Sequence, residues 1–157
     1  MSALRGTDAW QKLSAGKPIC IDSNVAVRWM FREPGYEHAE EFLKAYVAGS
    51  MTFVVPEHFH LECASAAYHK ALSGVPSDKV ALALVQLGGV GVVTWPIVDL
   101  MTRLVEIAML AEVTAWDAAY VAVAELVGCE FWTADAQLVR RASVHFPFVR
   151  HLGADSF

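Results

Sequence analysis

The sequence predicts an α/β fold: a single-domain parallel β-sheet flanked by helices on both faces. Short apolar runs alternate with longer segments of helical periodicity along the chain. The runs are continuous instead of alternating, as in strands that are buried on both faces. The chain has 157 residues, 55% of them apolar and 18% charged, which fits one domain with a full core and excludes disorder.

The predicted elements follow one another in strand–helix order. Strands are predicted at 18–22, 51–55, 90–95, 129–133 and 148–151. Helices are predicted at 24–31, 36–48, 57–72, 77–87, 96–112, 114–127 and 136–142. Pro56 and Pro96 are expected at first helical positions, Ser77 and Thr114 as N-caps, and Gly128 as a helix end.

The chain divides into an N-terminal extension, residues 1–17, and one domain, residues 18–157. The extension is expected to form a short helix from Thr7 that ends at Gly16, and it has no apolar leader, so export is not expected. Residues 80–98 carry no charge and have about the length of a membrane span. Their glycines and Pro96 favour a helix end, a strand and a new helix instead.

Charge and cysteine usage narrow the class of protein. The formal net charge of −5 provides no broad basic field for nucleic acid, so any such contact is expected to be local or metal-assisted. Cys20, Cys63 and Cys129 show no CxxC spacing and have apolar neighbours. They are interpreted as buried thiols of a cytoplasmic protein.

Two acids stand just beyond the carboxyl ends of predicted strands. Asp22 follows PICI, and Asp135 follows CEFWTA. Ligands of open α/β sheets bind at this edge, so both side chains are expected in one crevice. Helix capping by either residue is an alternative interpretation.

Two further acids lie on apolar helices. Glu62 is on the same helical face as Phe59 and Ala66, which turns it toward the core; the alternative is a Glu at the rim that extends to solvent or pairs with Lys70 or Arg28. Asp117 lies in the first turn of AWDAAYVAVAELV and could instead complete a capping box with Thr114. Four carboxylates around one cleft would repel one another unless a cation lay between them. Oxygen-only donors fit Mg²⁺, with Mn²⁺ possible.

Four motifs carry a family resemblance: DSN at 22–24, PEHFHLE at 56–62, TAWDAAYVAVAE at 114–125 and TAD at 133–135. In this order and at these spacings, residues 18–152 resemble PIN domains, in particular VapC-type toxins. The resemblance implies a PIN-like α/β/α sandwich in a metal-dependent endoribonuclease, a homodimer paired with an antitoxin. It also implies that Asp22 and Asp117 are the principal metal ligands, completed by Glu62 and Asp135 and supported by Asn24 and Thr133. The N-terminal extension departs from the family pattern.

The expected reaction is hydrolysis of RNA by metal-activated water. Arg28, Arg32, Lys70, Arg140 and Arg141 are candidate phosphate contacts, with solvated surface as the alternative. Trp29, Trp95, Trp116 and Trp132 could stack bases but are expected in core or dimer contacts. The apolar face of 36–48 could serve a dimer or an antitoxin helix.

Rival functions have weaker support in the sequence. His58 and Glu62 form an i, i+4 pair that could bind zinc, but HExxH is absent. No GxSxG elbow indicates a serine hydrolase, and no glycine-rich phosphate loop follows a predicted strand. A PIN nuclease of RNA maturation or decay, and a catalytically silent binding module of the same fold, both remain open.

Overall fold

A five-stranded parallel sheet forms the centre of the molecule. The computed structural model describes residue 13 and residues 16–154. The strands are β1 (Lys17–Ile21), β2 (Met51–Pro56), β3 (Val93–Trp95), β4 (Glu130–Thr133) and β5 (Val149–His151), in the spatial order β3-β2-β1-β4-β5. Every neighbouring pair is parallel. The predicted α/β class is therefore confirmed.

Helices cover this sheet on both faces. They are α1 (Ser23–Phe31), α2 (Tyr36–Val47), α3 (Phe59–Leu72), α4 (Ser77–Gly88), α5 (Met101–Ala111), α6 (Ala115–Val127) and α7 (Ala136–Ala142), with a 3-10 turn at Ile97–Leu100. α6 packs against β1, β2 and β4 and is buried along most of its length, as its nearly uncharged sequence predicts. Thr114 caps α6, and Gly128 ends it with a φ of +74°.

The prolines act differently from the prediction. Pro56 is the last residue of β2, and the next residue, Glu57, donates its N–H to the Trp95 carbonyl (2.9 Å). The ladder between β1 and β2 ends at Val54, so the missing N–H of Pro56 breaks no bond to β1. Pro96 precedes a 3-10 turn, and the α-helical geometry starts only at Met101. Ser77 is the first residue of α4, and Pro76 occupies the N-cap position.

The core lies between the sheet and its helices. Its largest buried side chains are Trp95, Trp132, Tyr120, Phe42 and Phe53. Cys20 and Cys63 are buried free thiols, as predicted, whereas Cys129 is only half-buried. Burial raises the pKa of Cys63 to about 12, so this thiol is protonated and unreactive at neutral pH.

The structure also shows where two apolar stretches of the sequence lie, residues 80–98 and the apolar face of α2. The charge-free segment 80–98 is divided between α4, β3 and the 3-10 turn, as the helix–strand–helix interpretation predicts. In the described part of the chain, no single helix has the length and hydropathy to span a membrane; one pair, Ile97–Ala111 and Ala115–Val127, meets the criteria together but is bent by 113°. Two aromatic residues of the apolar face of α2 pack inside the molecule, Phe42 on Trp132 and Tyr46 on Phe53, each with ring centroids 5.1 Å apart, and a partner contact on this face stays a prediction.

The predicted extension lies almost wholly outside the described residues, including the short helix expected from Thr7. Leu13, which is described, packs against the core. β1 begins at Lys17, one residue before the predicted strand.

The packing of α5 gives a direct test of the fold. Ile107 is fully buried, whereas Val105 on the same helix is 51% exposed. We expect Ile107→Ala to lower the free energy of unfolding by about 2–5 kcal/mol, because it leaves a cavity in the core. Val105→Ala, the matched control, is expected to change it by less than about 1 kcal/mol. Urea unfolding curves measure both, and equal losses would contradict this orientation of α5.

Candidate active site

The site lies where the strand order of the sheet changes direction. The chain moves from β1 outward through β2 to β3, and then crosses to the other side of β1 to form β4 and β5. The carboxyl ends of β1 and β4 therefore border the crevice in which open α/β sheets bind ligands. Asp22 directly follows β1, and Thr133 is the last residue of β4.

Asp22 is buried at this point and is held by hydrogen bonds from both sides. Only 7% of the residue is exposed. Its Oδ2 accepts from Thr133 Oγ1 (2.6 Å) and from Asn24 Nδ2 (2.9 Å), and its Oδ1 accepts from the backbone N–H of Asn24 (3.2 Å). The last bond makes Asp22 the N-cap of α1, so the capping interpretation holds together with placement in the crevice.

Asn24 and Thr133 both hydrogen-bond to Asp22 and are also hydrogen-bonded to each other. Asn24 Nδ2 also donates to Thr133 Oγ1 (3.0 Å), and Asn24 Oδ1 accepts from the backbone N–H of Ala134 (3.0 Å). Thr133 is fully buried and accepts from the backbone N–H of Asp135 (3.0 Å). These bonds connect α1 to the end of β4 and fix the orientation of the Asp22 carboxylate.

Burial and neighbouring charge make ionisation of Asp22 unfavourable. Burial has the largest effect and, with the charges of Glu62 and Asp117, raises the pKa of Asp22 from 3.8 to about 6. The hydrogen bonds from Thr133 and Asn24 oppose this shift, because they stabilise the ionised form. Asp22, Glu62 and Asp117 therefore interact electrostatically.

Glu62 lies in the first turn of α3 and is held by Tyr120 of α6. The Tyr120 hydroxyl donates to Glu62 Oε2 at 2.5 Å, and burial, followed by the charge of Asp22, raises the pKa of Tyr120. The alternative pairing of Glu62 with Lys70 or Arg28 is wrong. Lys70 instead pairs with Glu33 (2.5 Å), and Arg28 donates to the carbonyls of Pro34 and Asn24.

His58 and Glu62 do lie side by side, as their i, i+4 spacing predicts. His58 Nε2 is 3.8 Å from Glu62 Oε2. Burial of the ring lowers the pKa of His58, although the nearby acids oppose this shift, Glu62 most strongly. The two side chains thus form a contact pair at the edge of the acidic cluster, which comprises Asp22, Glu62 and Asp117.

Asp117 projects from the first turn of α6 and forms only half of the predicted capping box, because its carboxylate accepts from the Thr114 hydroxyl and not from the Thr114 backbone N–H. The Thr114 hydroxyl accepts from the Asp117 backbone N–H (3.1 Å) and donates to Asp117 Oδ2 (2.7 Å). Asp117 is half-buried, and its charge contributes to the raised pKa of Asp22. Capping and proximity to Asp22 therefore coexist here as well.

Asp135 differs from the other three acids. It is exposed and caps α7 by accepting from the backbone N–H groups of Gln137 (2.8 Å) and Leu138 (3.1 Å). Its link to Asp22 is indirect: its backbone N–H donates to Thr133, whose hydroxyl donates to Asp22. The capping interpretation accounts for the observed contacts of Asp135, and its role in the site stays a prediction.

The donor set fits a hard cation that keeps part of its water shell. Within residues 13 and 16–154, no group of three or more His, Cys, Asp or Glu side chains lies in an arrangement that could hold a metal ion. Mg²⁺ is commonly bound through one or two carboxylates and several waters, so it does not need such a cage. Asp22 with Asp117 or Glu62 supplies only oxygen donors, and their mutual repulsion would be relieved by a cation. The four predicted carboxylates are therefore not arranged as four direct ligands of one cation in the described part of the chain.

The predicted phosphate contacts are dispersed. Arg28 is used locally at the end of α1, and Arg32, the C-cap of α1, stacks on Tyr36 (5.4 Å). Arg140 and Arg141 are exposed on α7, and Arg141 donates to the Glu112 carbonyl (2.6 Å). A role for Arg28, Arg140 and Arg141 in holding RNA stays a prediction.

Tyr120 also belongs to this site, although the sequence predicts it only as part of an apolar helix. Its hydroxyl holds Glu62. A signal was present, because Tyr120 follows Asp117 by three residues and so lies on the same helical face.

Comparisons with known proteins agree with this architecture. The family model "PIN domain" matches residues 19–144. A solved structure titled "Crystal structure of PAE2754 from Pyrobaculum aerophilum" superimposes with a TM-score of 0.64 at 18% identity, covering 88% of this chain and 93% of that one. No curated protein matches the sequence. The chain belongs to the PIN domain family, whose members are generally nucleases.

The raised pKa of Asp22 predicts how stability depends on pH. Between about pH 4 and pH 6 the folded state binds more protons than the unfolded state, so the free energy of unfolding falls as pH rises through this window. The shift from 3.8 to about 6 corresponds to about 3 kcal/mol. Asp22→Asn removes this contribution. From pH 4 to pH 7 the unsubstituted protein should therefore lose up to about 3 kcal/mol of unfolding free energy that Asp22→Asn does not lose. The variant should become more stable relative to the unsubstituted protein by that amount.

Urea unfolding at several pH values in a metal chelator measures this difference. Parallel pH profiles for the two proteins would show that Asp22 is not the buried acid described here.

Proposed function

We propose that this protein is a Mg²⁺- or Mn²⁺-dependent endoribonuclease whose site comprises Asp22, Glu62, Asp117 and Asp135, with Asn24 and Thr133 in support. One observation carries the proposal: a buried carboxylate at the crevice of the sheet is held by Thr133 and Asn24 and destabilised by the charges of Glu62 and Asp117. Asp22 caps α1, but capping does not require two further acids close enough to raise its pKa. A bound cation would relieve the repulsion between these carboxylates. Membership of the PIN family supports nuclease chemistry.

The residues divide the work of hydrolysis between them. Asp22 and Asp117 would hold the cation, with their carboxylates oriented by Thr133 and Thr114 respectively. When bound, the cation supplies positive charge to the scissile phosphate and lowers the pKa of a coordinated water. Glu62, fixed by Tyr120, orients the attacking water and accepts its proton. Asp135 is the alternative base, and its exposure at the mouth of the crevice would allow it to reach the substrate.

The biological role that we propose is that of the toxin in a type II toxin–antitoxin pair, acting as a homodimer in the cytoplasm. This is the role implied by the resemblance of the motifs to VapC-type toxins. Exposed apolar side chains support protein partners: Leu61, Tyr68 and Leu72 on α3, and Leu82 and Val85 on α4. A small antitoxin gene directly upstream would distinguish this role from RNA maturation or decay.

Cleavage assays test the nuclease. We expect the unsubstituted protein to cut members of a diverse RNA panel with Mg²⁺ or Mn²⁺ and to cut none with EDTA. Asp22→Asn and Asp117→Asn are each expected to lower the rate at least about a hundredfold, because loss of a ligand should exceed the 10–100-fold effect of losing a group that supports one. Gel analysis of the products measures the rates.

Asp78→Asn is the matched control, since Asp78 is an exposed acid in the first turn of α4. It should cleave like the unsubstituted protein. Thermal unfolding with and without Mg²⁺ provides a readout that does not depend on activity: Mg²⁺ should raise the Tm of the unsubstituted protein and of Asp78→Asn, but not that of Asp22→Asn. Metal-independent cleavage, or no cleavage of any RNA, would contradict the proposal, and the latter would favour a silent binding module.

Expression in a bacterial host tests the toxin role. Induction of the unsubstituted protein is expected to stop growth, whereas Asp22→Asn, expressed at the same level, should grow like the empty vector. Co-expression of the upstream gene product should restore growth. Normal growth of cells that contain active nuclease would assign the protein to RNA maturation or decay.

A further inference from the structure

A pocket lies beside the acidic cluster, with His58 in its lining. Its volume is about 340 Å³, and its lining includes Trp116, His58, Ile97, Leu104, Ala115 and Ala119. Ligand pockets of proteins start at about this size. The pocket is next to the candidate site, because its lining residue His58 is 3.8 Å from Glu62 and is also affected by the charge of Asp117.

Trp116 presents an aromatic surface at this pocket. It is 57% exposed, although tryptophan is usually among the most buried residues. Its ring meets the ring of His58 at 77°, with centroids 5.1 Å apart, so the histidine supports the indole through an edge contact. An exposed indole next to a catalytic crevice is a suitable stacking platform.

His58 adds a buried nitrogen, Nε2, whose contact with Glu62 at 3.8 Å is too long for a hydrogen bond. The residue is only 8% exposed, and its Nε2 has no hydrogen-bond partner among the described residues. Buried polar atoms in folded proteins almost always have partners, so one without a partner next to a pocket points to a ligand or a water. His58 also packs edge-on against Tyr120, with centroids 5.2 Å apart, which fixes the ring.

The charges around the pocket restrict what can enter it. Glu57 lines its rim, with Oε1 accepting from the Ile97 N–H (3.0 Å), and Glu62 and Asp117 lie beside it. An anionic group would be repelled here. A flat, uncharged group with hydrogen-bonding edges fits the aromatic wall and the polar atom.

We propose that this pocket binds a nucleobase of the RNA strand adjoining the scissile phosphate, with the base stacked on Trp116. The inference rests on the proposed function, since the phosphate must lie at Asp22 and Asp117. Stacking on one indole tolerates every base, so the subsite positions the strand without reading its sequence. Trp116 is thus a substrate-binding residue; the sequence offered base stacking as one possibility for it but favoured core or dimer contacts.

The test measures binding of a short single-stranded RNA to the full chain. One oligonucleotide carries all its bases, and a second has the same backbone with abasic positions. Ca²⁺, a hard cation with looser geometry, replaces Mg²⁺ to support binding, and gels verify that the RNA stays intact. The proteins are the unsubstituted chain, Trp116→Leu, which keeps an apolar side chain, and Trp116→Phe, which keeps an aromatic face.

We expect Trp116→Leu to weaken binding of the complete RNA about tenfold, the scale of one base–aromatic stack, and to leave binding of the abasic RNA unchanged. Trp116→Phe should stay within about threefold of the unsubstituted protein. Because Trp116 is exposed, both variants should keep the circular dichroism spectrum and the Tm.

Other results would overturn the subsite. Equal weakening for both RNAs, or unchanged binding by Trp116→Leu, would show that no base lies on Trp116 even though RNA binds and is cut. Loss of self-association in Trp116→Leu, with unchanged RNA affinity, would make this face a protein contact. Failure of the unsubstituted protein to bind either RNA would overturn the proposed function together with the subsite.

Discussion

The structure depends on keeping a carboxylate in a place where ionisation is unfavourable. Asp22 lies between β1 and α1, nearly inaccessible to water, with two other acids close enough to raise its pKa. Four donors offset part of this cost: the Thr133 hydroxyl, the Asn24 side-chain amide, the Asn24 backbone N–H and the Ser23 hydroxyl. Because Asn24 belongs to α1 and Thr133 to β4, the same bonds that orient the carboxylate also join the first helix to the end of the fourth strand.

Capping and cluster formation use the same residues. Asp22 caps α1 and Asp135 caps α7, whereas Asp117 is held by Thr114, the N-cap of α6. Each helix N-terminus favours a negative charge, which offsets part of the repulsion that the acids exert on one another. The fold can therefore keep its acids ordered without a cation, and a cation entering the crevice would find the carboxylates already oriented. We infer that this preorganisation is what the proposed nuclease exploits.

Different parts of the surface around the crevice would contact different groups of the proposed RNA substrate. The acids and a cation would engage the phosphate, the Trp116 pocket a neighbouring base, and the dispersed arginines further phosphates. The chain has a net charge of −5, so attraction for RNA cannot come from its overall field. Affinity would have to come from local contacts, namely the cation, the arginines and stacking, which makes Trp116 more important here than it would be in a basic protein.

The sequence by itself determined the parallel α/β architecture, the order of the elements and three members of the acidic cluster. Continuous apolar runs and helical periodicity are local signals, and the acids Asp22, Glu62 and Asp117 stood out because they interrupt or end apolar segments. The sequence did not determine where Pro56 and Pro96 act, because their roles depend on where the ladders of neighbouring strands end.

Only the tertiary structure decided the partners of each acid. Glu62 pairs with Tyr120 and not with Lys70, and Tyr120 is 58 residues away in the chain. The aromatic contacts of α2 with Trp132 and Phe53 likewise join distant or separate elements. The exposure of Trp116 was equally hidden, since periodicity gives the face of a helix but not what lies opposite it. Such contacts arise from how helices pack across a sheet, and that packing sets the pKa of Asp22 and the shape of the pocket beside it.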